Sequence, residues 1–206
     1  MIEIPTADRP LKIAAVLFPG FELLDIFGPL EMFGLLGERA KITLAARNLA
    51  PVASGAGPQA MPKVLISEVE TTDMILIPGG PGTRSLVYDR GFLEALTLCA
   101  KKATIVASVC TGSALLAKTG LLDGRQATSN KLAYAWATSQ STNVLWQPKA
   151  RWVVDGNFWT SSGIAAGIDM SLALIAHLFD TETAIEIANR AEYVWNQDPD
   201  LDPFAE

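Results

Sequence analysis

The chain of 206 residues contains one histidine, two cysteines and only an 18% share of charged residues, and each shortage narrows what it can be. The single histidine, His177, is set among Leu174, Ile175, Leu178 and Phe179 at helical spacing and reads as a core or interface residue. A cysteine–histidine hydrolytic pair therefore has no base to draw on. The same scarcity leaves no clustered set of cysteine and histidine ligands, so no metal and no cofactor are expected. Cys99 and Cys110 stand in unlike contexts and make no disulfide framework. No run of lysine and arginine occurs, and a formal net charge of -6 works against a nucleic-acid partner. With no long apolar span and no signal peptide, the sequence predicts a soluble, cytoplasmic protein without membrane contact.

What is present is apolar and regularly interrupted. Half of the residues, 50%, are hydrophobic, which suits a sheet covered by helices on both faces. Compact apolar strands are expected at Leu11–Phe18, Lys41–Ala46, Asp73–Ile77 and up to Val109. Helical stretches from Phe21 to about Leu36 and over Arg90–Lys102 alternate with them. Asn48–Pro62 reads as loops with short strand pieces, and Arg151–Thr160 as a hairpin around Val154-Asp-Gly-Asn157. Thr128-Ser-Asn130 is placed to cap a helix through Tyr134 and Trp136, and two more helices are expected at Ile168–Phe179 and Thr181–Tyr193. This alternation predicts an α/β fold with a mainly parallel, doubly wound sheet in one domain over residues 1–206, with residues 1–10 and 196–206 as peripheral tails.

The chain is organised around Ala103–Lys118. An apolar strand rich in β-branched residues ends at Val109, and Thr111-Gly-Ser113 opens a helix over Ala-Leu-Leu-Ala-Lys. Cys110 sits at the elbow, displayed as a nucleophile. The partial positive charge of a helix start predicts a thiol titrating below the roughly 8.5 of free cysteine. Cys99, inside a helical pattern with apolar neighbours, reads as inert packing.

In parallel sheets ligands gather at the carboxyl ends of the strands. That rule puts the turn after Phe18, the Pro78-Gly-Gly-Pro-Gly82 turn and the Cys110 elbow on one rim. Gly79 and Gly80 could bring backbone N–H groups close to a reacting atom as an oxyanion hole, or could serve only a tight turn. Asp25 interrupts an apolar stretch near the start of the first helix.

Phe18-Pro-Gly-Phe-Glu-Leu-Leu-Asp25 with Gly28-Pro29, Ile77-Pro-Gly-Gly80, Ser108-Val-Cys-Thr-Gly112 and Gly163-Ile-Ala-Ala-Gly-Ile-Asp169 follow one another in an order that resembles the DJ-1/PfpI (ThiJ) superfamily, closest in pattern to its isocyanide hydratase branch. The resemblance spans about Leu11 to Tyr193. It implies a flavodoxin-like sandwich, a homodimer with sites near the subunit interface, and a small-molecule substrate. It further implies Cys110 as nucleophile, Asp25 as its acidic partner, Thr111 as the residue after the nucleophile and Gly79 and Gly80 as the oxyanion-hole turn. Beside a thiolate, the Asp25 carboxyl is expected to share a proton with it, since like charges raise both pKa values. Relatives with hydrolase or glyoxalase activity commonly use a histidine in the site, often beside the nucleophile, where this chain has Thr111.

The resemblance implies hydration of an isocyanide through a Cys110 thioimidate, with Asp25 protonating the adduct and positioning water. Thr111 could donate its hydroxyl or its N–H. The chain departs from the pattern at Thr128-Ser-Asn-Lys131, where many members of that branch carry Thr-Thr-His-Trp. Two other readings follow from the same residues: a redox or stress sensor working by oxidation of Cys110, and a ligand-sensing, amidase-like or glyoxalase-like member.

Overall fold

The structure is a computed structural model and describes residues 5–69 and 71–205. In chain order, β1 (Leu11–Val16), α1 (Leu23–Gly34) and β2 (Ala40–Ala46) are followed by the short strands β3 (Val52–Ala53), β4 (Gln59–Ala60) and β5 (Val64–Leu65). Then come β6 (Met74–Ile77), α2 (Thr83–Leu86), α3 (Arg90–Lys102), β7 (Ile105–Val109) and α4 (Gly112–Lys118). The remainder is β8 (Gln126–Ala127), α5 (Tyr134–Thr138), β9 (Leu145–Trp146), β10 (Trp152–Asp155), β11 (Phe158–Ser161), α6 (Ala166–Leu178) and α7 (Thr181–Arg190).

The apolar runs of β6 and β7 are buried from end to end, as strands in the middle of a helix-covered sheet must be. They belong to a seven-stranded sheet ordered β10-β11-β7-β6-β1-β2-β5. Every pair in it is parallel except the β10–β11 hairpin. α1, α6 and α7 pack together, and α2, α3, α4 and α5 form a second helical layer. The order runs outward from β1 in both directions, so the crevice at the carboxyl ends of β1, β6 and β7 is the switch point where such sheets bind ligands.

Local signals explain the element ends. Asp89 caps α3 by accepting from Phe92 N at 3.0 Å, with Lys101 and Lys102 in its last turn. Asp180 caps α7 through Thr183 N. The expected helix after Thr128-Ser-Asn130 is shorter, starting only at Tyr134. Asn130 Oδ1 accepts from Ala133 N at 2.9 Å, while Thr128 and Ser129 turn away to carbonyls of other segments.

Two expectations need correction. Of the two places offered to His177, core and interface, the core is excluded: the residue is exposed, its ring tilted against Trp159 with centroids 5.6 Å apart. The segment from Asn196 is tied into the body rather than peripheral. Pro199 O accepts from Arg151 N at 2.8 Å, Asp202 N donates to Lys149 O at 2.7 Å, and Asp202 is buried. At the other end, residues 1–4 of the expected 1–10 tail lie outside the described residues. Among the described residues, no helix is long and apolar enough to cross a membrane.

Candidate active site

β7 delivers Cys110 to the rim in a left-handed conformation with φ 57°, which side-chain-bearing residues seldom adopt. Such a conformation costs about 1–3 kcal/mol and persists only where the surroundings impose it. Here both backbone groups of Cys110 are pinned. Its N–H lies 3.2 Å from both Ser161 O and Ser162 O, and its carbonyl accepts from Ser113 Oγ at 3.1 Å and Ser129 Oγ at 3.0 Å.

Asp25, in the first turn of α1, is fully buried beneath this elbow. Its Oδ2 accepts from Gly79 N at 2.8 Å, while its Oδ1 has no conventional hydrogen-bond partner among the described residues. The side chain interacts with that of Cys110. Burial, reinforced by the neighbouring Glu22 carboxylate and only partly offset by the Gly79 N–H, raises the Asp25 pKa to about 8. Asp25 therefore holds a proton at neutral pH.

The Gly79-Gly80 turn works differently from the expected oxyanion hole. Gly79 N–H is engaged by Asp25, and Gly80 N donates to Thr111 Oγ1 at 3.1 Å. The turn thus orients the acid and the threonine instead of presenting both donors to a ligand. The physical reason is close approach: a Cβ on Gly79 would lie 2.5 Å from Thr111 N and 2.6 Å from Thr111 Oγ1. Thr83 Oγ1 supports the same hydroxyl from 3.1 Å and donates to Gly80 O at 2.8 Å.

The thiol itself also departs from expectation. Burial, and then the Asp25 carboxyl, push the Cys110 pKa up; the Thr111 N–H, the Thr111 hydroxyl and the Asn130 side chain oppose this without overcoming it. Desolvation outweighs the start of a short helix. Cys110 is a neutral, 6% exposed thiol surrounded by donors that favour negative charge on sulfur. Cys99 is buried in α3, and burial pushes its pKa up to about 11, in keeping with packing.

Neither Asn130 nor Gly163 was assigned to the site from the sequence, where Asn130 stood as a helix-cap candidate and a departure from the family pattern and Gly163 as the first residue of a family motif. With its Oδ1 occupied by Ala133 N, Asn130 turns its Nδ2 toward the thiol. A Cβ on Gly163 would lie 2.2 Å from that nitrogen and 2.8 Å from Cys110 Sγ. Gly163 follows β11, so the rule that places ligands at strand ends could have identified it. A cavity of about 400 Å³ is bordered by Asn130 and Gly163 and so adjoins the thiol. Among the described residues, no group of three or more histidine, cysteine, aspartate or glutamate side chains is arranged to hold a metal ion.

Comparison with known proteins bears on the family and the fold. The sequence model of the DJ-1/PfpI family matches residues 11–177. The chain is 36% identical over 183 residues to an isonitrile hydratase of Pseudomonas putida, covering 89% of this chain and 78% of that protein. A crystal structure of a ThiJ/PfpI family protein from Pseudomonas syringae superposes with a TM-score of 0.78 at 33% identity, covering 94% of this chain and 77% of that one. Oxidised DJ-1 of Toxoplasma gondii, at 24% identity and a TM-score of 0.75 over 90% of this chain and 100% of that one, shares the fold.

Proposed function

The chain belongs to the DJ-1/PfpI family, and from that premise we propose that it is a cysteine-dependent hydratase, adding water to an isocyanide to release an N-substituted formamide. The observation that carries this reading is the buried pair of Cys110 and protonated Asp25, two neutral groups in contact without a histidine. The similarity to an isonitrile hydratase supports the substrate class.

An isocyanide is uncharged and its terminal carbon accepts both a nucleophile and a proton. A neutral thiol–acid pair can therefore act on it without leaving a net charge in a buried site. In the proposed cycle, Cys110 sulfur bonds to the terminal carbon. The proton lost by sulfur reaches that same carbon by way of Asp25, giving a thioimidate, R–N=CH–S. Donors from Thr111 and Asn130 stabilise the negative charge that builds on sulfur during attack. Water then adds to the thioimidate carbon, with Asp25 passing one of its protons to nitrogen. The adduct collapses as its hydroxyl proton returns to sulfur through Asp25, the C–S bond breaks and the formamide leaves.

The protein is further read as a cytoplasmic homodimer. Exposed Leu24 and Phe27 on α1, the helix that carries Asp25, support the pairing of subunits. Oxidative sensing by Cys110 would use the same sulfur, but the similarity to an isonitrile hydratase favours turnover.

The test is formamide release from an aromatic isocyanide by the wild type, Cys110→Ala and Cys99→Ala. Turnover is expected to vanish in Cys110→Ala and to persist in Cys99→Ala. Formamide production by Cys110→Ala at the wild-type rate would end the proposal.

A further inference from the structure

The cavity beside Cys110 has one wall that comes from the far end of the chain. Leu132, Ile164, Ala165 and Phe204 give it an apolar lining, and its volume of about 400 Å³ falls within the range of small-ligand sites. The two cations at its edge already have partners. Lys131 Nζ donates to Ala150 O at 2.6 Å and Thr128 Oγ1 at 2.9 Å. Arg151 is ion-paired with Asp169 at 2.5 Å and lies 3.6 Å from Asp202.

Phe204 reaches this cavity through a built anchor. Asp202, 1% exposed, faces Arg151 and accepts from Phe204 N through Oδ1 at 2.9 Å, while Ala205 N closes a turn onto Asp202 O at 3.0 Å. Pro199 O, bonded to Arg151 N, holds the approach to that turn. The ring is left 73% exposed on a cavity that is also bordered by Asn130 and Gly163, the two residues that flank the thiol. An aromatic ring presented in this way gains most by being covered by an apolar ligand.

Resting on the hydratase reading, we propose that this cavity receives the N-substituent of the isocyanide, that it takes an uncharged apolar substituent the size of a cyclohexyl or phenyl ring, and that Phe204 is its specificity-determining wall. On this reading a methyl substituent covers little of the Phe204 ring. A ring fills the cleft and covers it.

The experiment compares methyl, cyclohexyl and phenyl isocyanide with the wild type, Phe204→Ala and Phe204→Leu. Phe204→Ala is expected to raise KM for the two ring substrates about 10-fold with little change in kcat, leave methyl isocyanide unaffected, and recover most of the loss in Phe204→Leu. Equal losses on all three substrates, or none, would overturn the assignment. So would a change of oligomeric state in Phe204→Ala, which would make Phe204 an interface residue. Alkylation of Cys110 by iodoacetamide and by N-benzyl iodoacetamide, read by intact mass, needs no turnover. A preference for the benzyl reagent that depends on Phe204, in a protein that makes no formamide, would refute the hydratase reading and keep the apolar site; no such preference in a protein that turns over would refute the site alone.

Discussion

Asp25 and Asp169 are both fully buried, and both lie in the first turn of a long helix. Their surroundings are opposite. Asp169 is saturated: Oδ2 takes Arg151 Nε at 2.7 Å, and Oδ1 takes the Tyr193 hydroxyl and Asn196 N, each at 3.0 Å. Even its backbone carbonyl accepts from Trp195 Nε1. Asp25 has one backbone donor on Oδ2, a nearby carboxylate at Glu22 and an Oδ1 open toward a thiol. A carboxylate whose every acceptor site is filled by cations and donors is structural. Burial raises the pKa of both; at Asp169 the Arg151 guanidinium and the Asn196 and Tyr193 donors oppose it, whereas Asp25 has only the Gly79 N–H and the thiol, and the proton it keeps can be used.

The comparison breaks most sharply at Asp169→Asn. This change leaves the buried Arg151 with only the more distant Asp202, and is expected to lower stability by about 3–5 kcal/mol. Thermal unfolding should show it as a fall in Tm on the order of 10 °C. Turnover by the molecules that remain folded should persist, because Asp169 touches no reacting atom in the proposed cycle.

Asp25→Asn should move the two quantities the other way. The wild-type acid has a pKa near 8 in the folded protein against 3.8 for an ordinary aspartate. The folded state therefore keeps a proton that the unfolded chain releases. Stability from that proton is greatest below the ordinary value and is lost as pH rises from 3.8 toward 8. Asparagine keeps the acceptor for Gly79 N–H and removes this dependence, so at pH 7–8 the variant should be more stable by roughly 2–4 kcal/mol. The same variant should lose about 10²–10³ in kcat/KM, since the proton donor is gone. In the wild type, kcat/KM should fall about tenfold per pH unit above pH 8 as Asp25 ionises. A flat profile to pH 10 would remove Asp25 from the proton path.

The contrast between the two acids was only partly legible in the sequence. Cys110 and Asp25 stand out because each interrupts an apolar element at the carboxyl edge of the sheet, and strand-end placement brings them together. Asp169 lies in the Gly163–Asp169 motif but nothing local announces its partners: Arg151, Tyr193 and Asn196 come from three other segments. The thiol's titration was misread for a related reason. A helix start is visible in sequence, whereas the desolvation that outweighs it is a sum over the whole packed rim. The glycine turn was located correctly, yet the engagement of its N–H groups by Asp25 and Thr111 depends on side-chain directions that spacing does not specify.

Asn130 gives the smallest effect, and one that tests how the acid and the thiol are balanced. Its Oδ1 is held by Ala133 N, so its Nδ2 is committed to the Cys110 side and opposes the upward push from burial and Asp25. Asn130→Ala removes one donor of about 1 kcal/mol, which corresponds to a roughly 5-fold to 10-fold loss in kcat and in the iodoacetamide reactivity of Cys110 at fixed pH. Asn130→Asp replaces the donor with a second acid beside the pair. Like charges would then push the Cys110 thiol and Asp25 upward together, and the alkaline limb of the pH–rate profile should move to higher pH. Stability should change little in Asn130→Ala, because Asn130 is only half-buried and the Ala133 N–H it caps opens a short helix. A large loss of Tm with unchanged alkylation would mean that Asn130 supports the loop and not the sulfur. The two acids would then differ only in their own partners, with no third residue tuning the reactive pair.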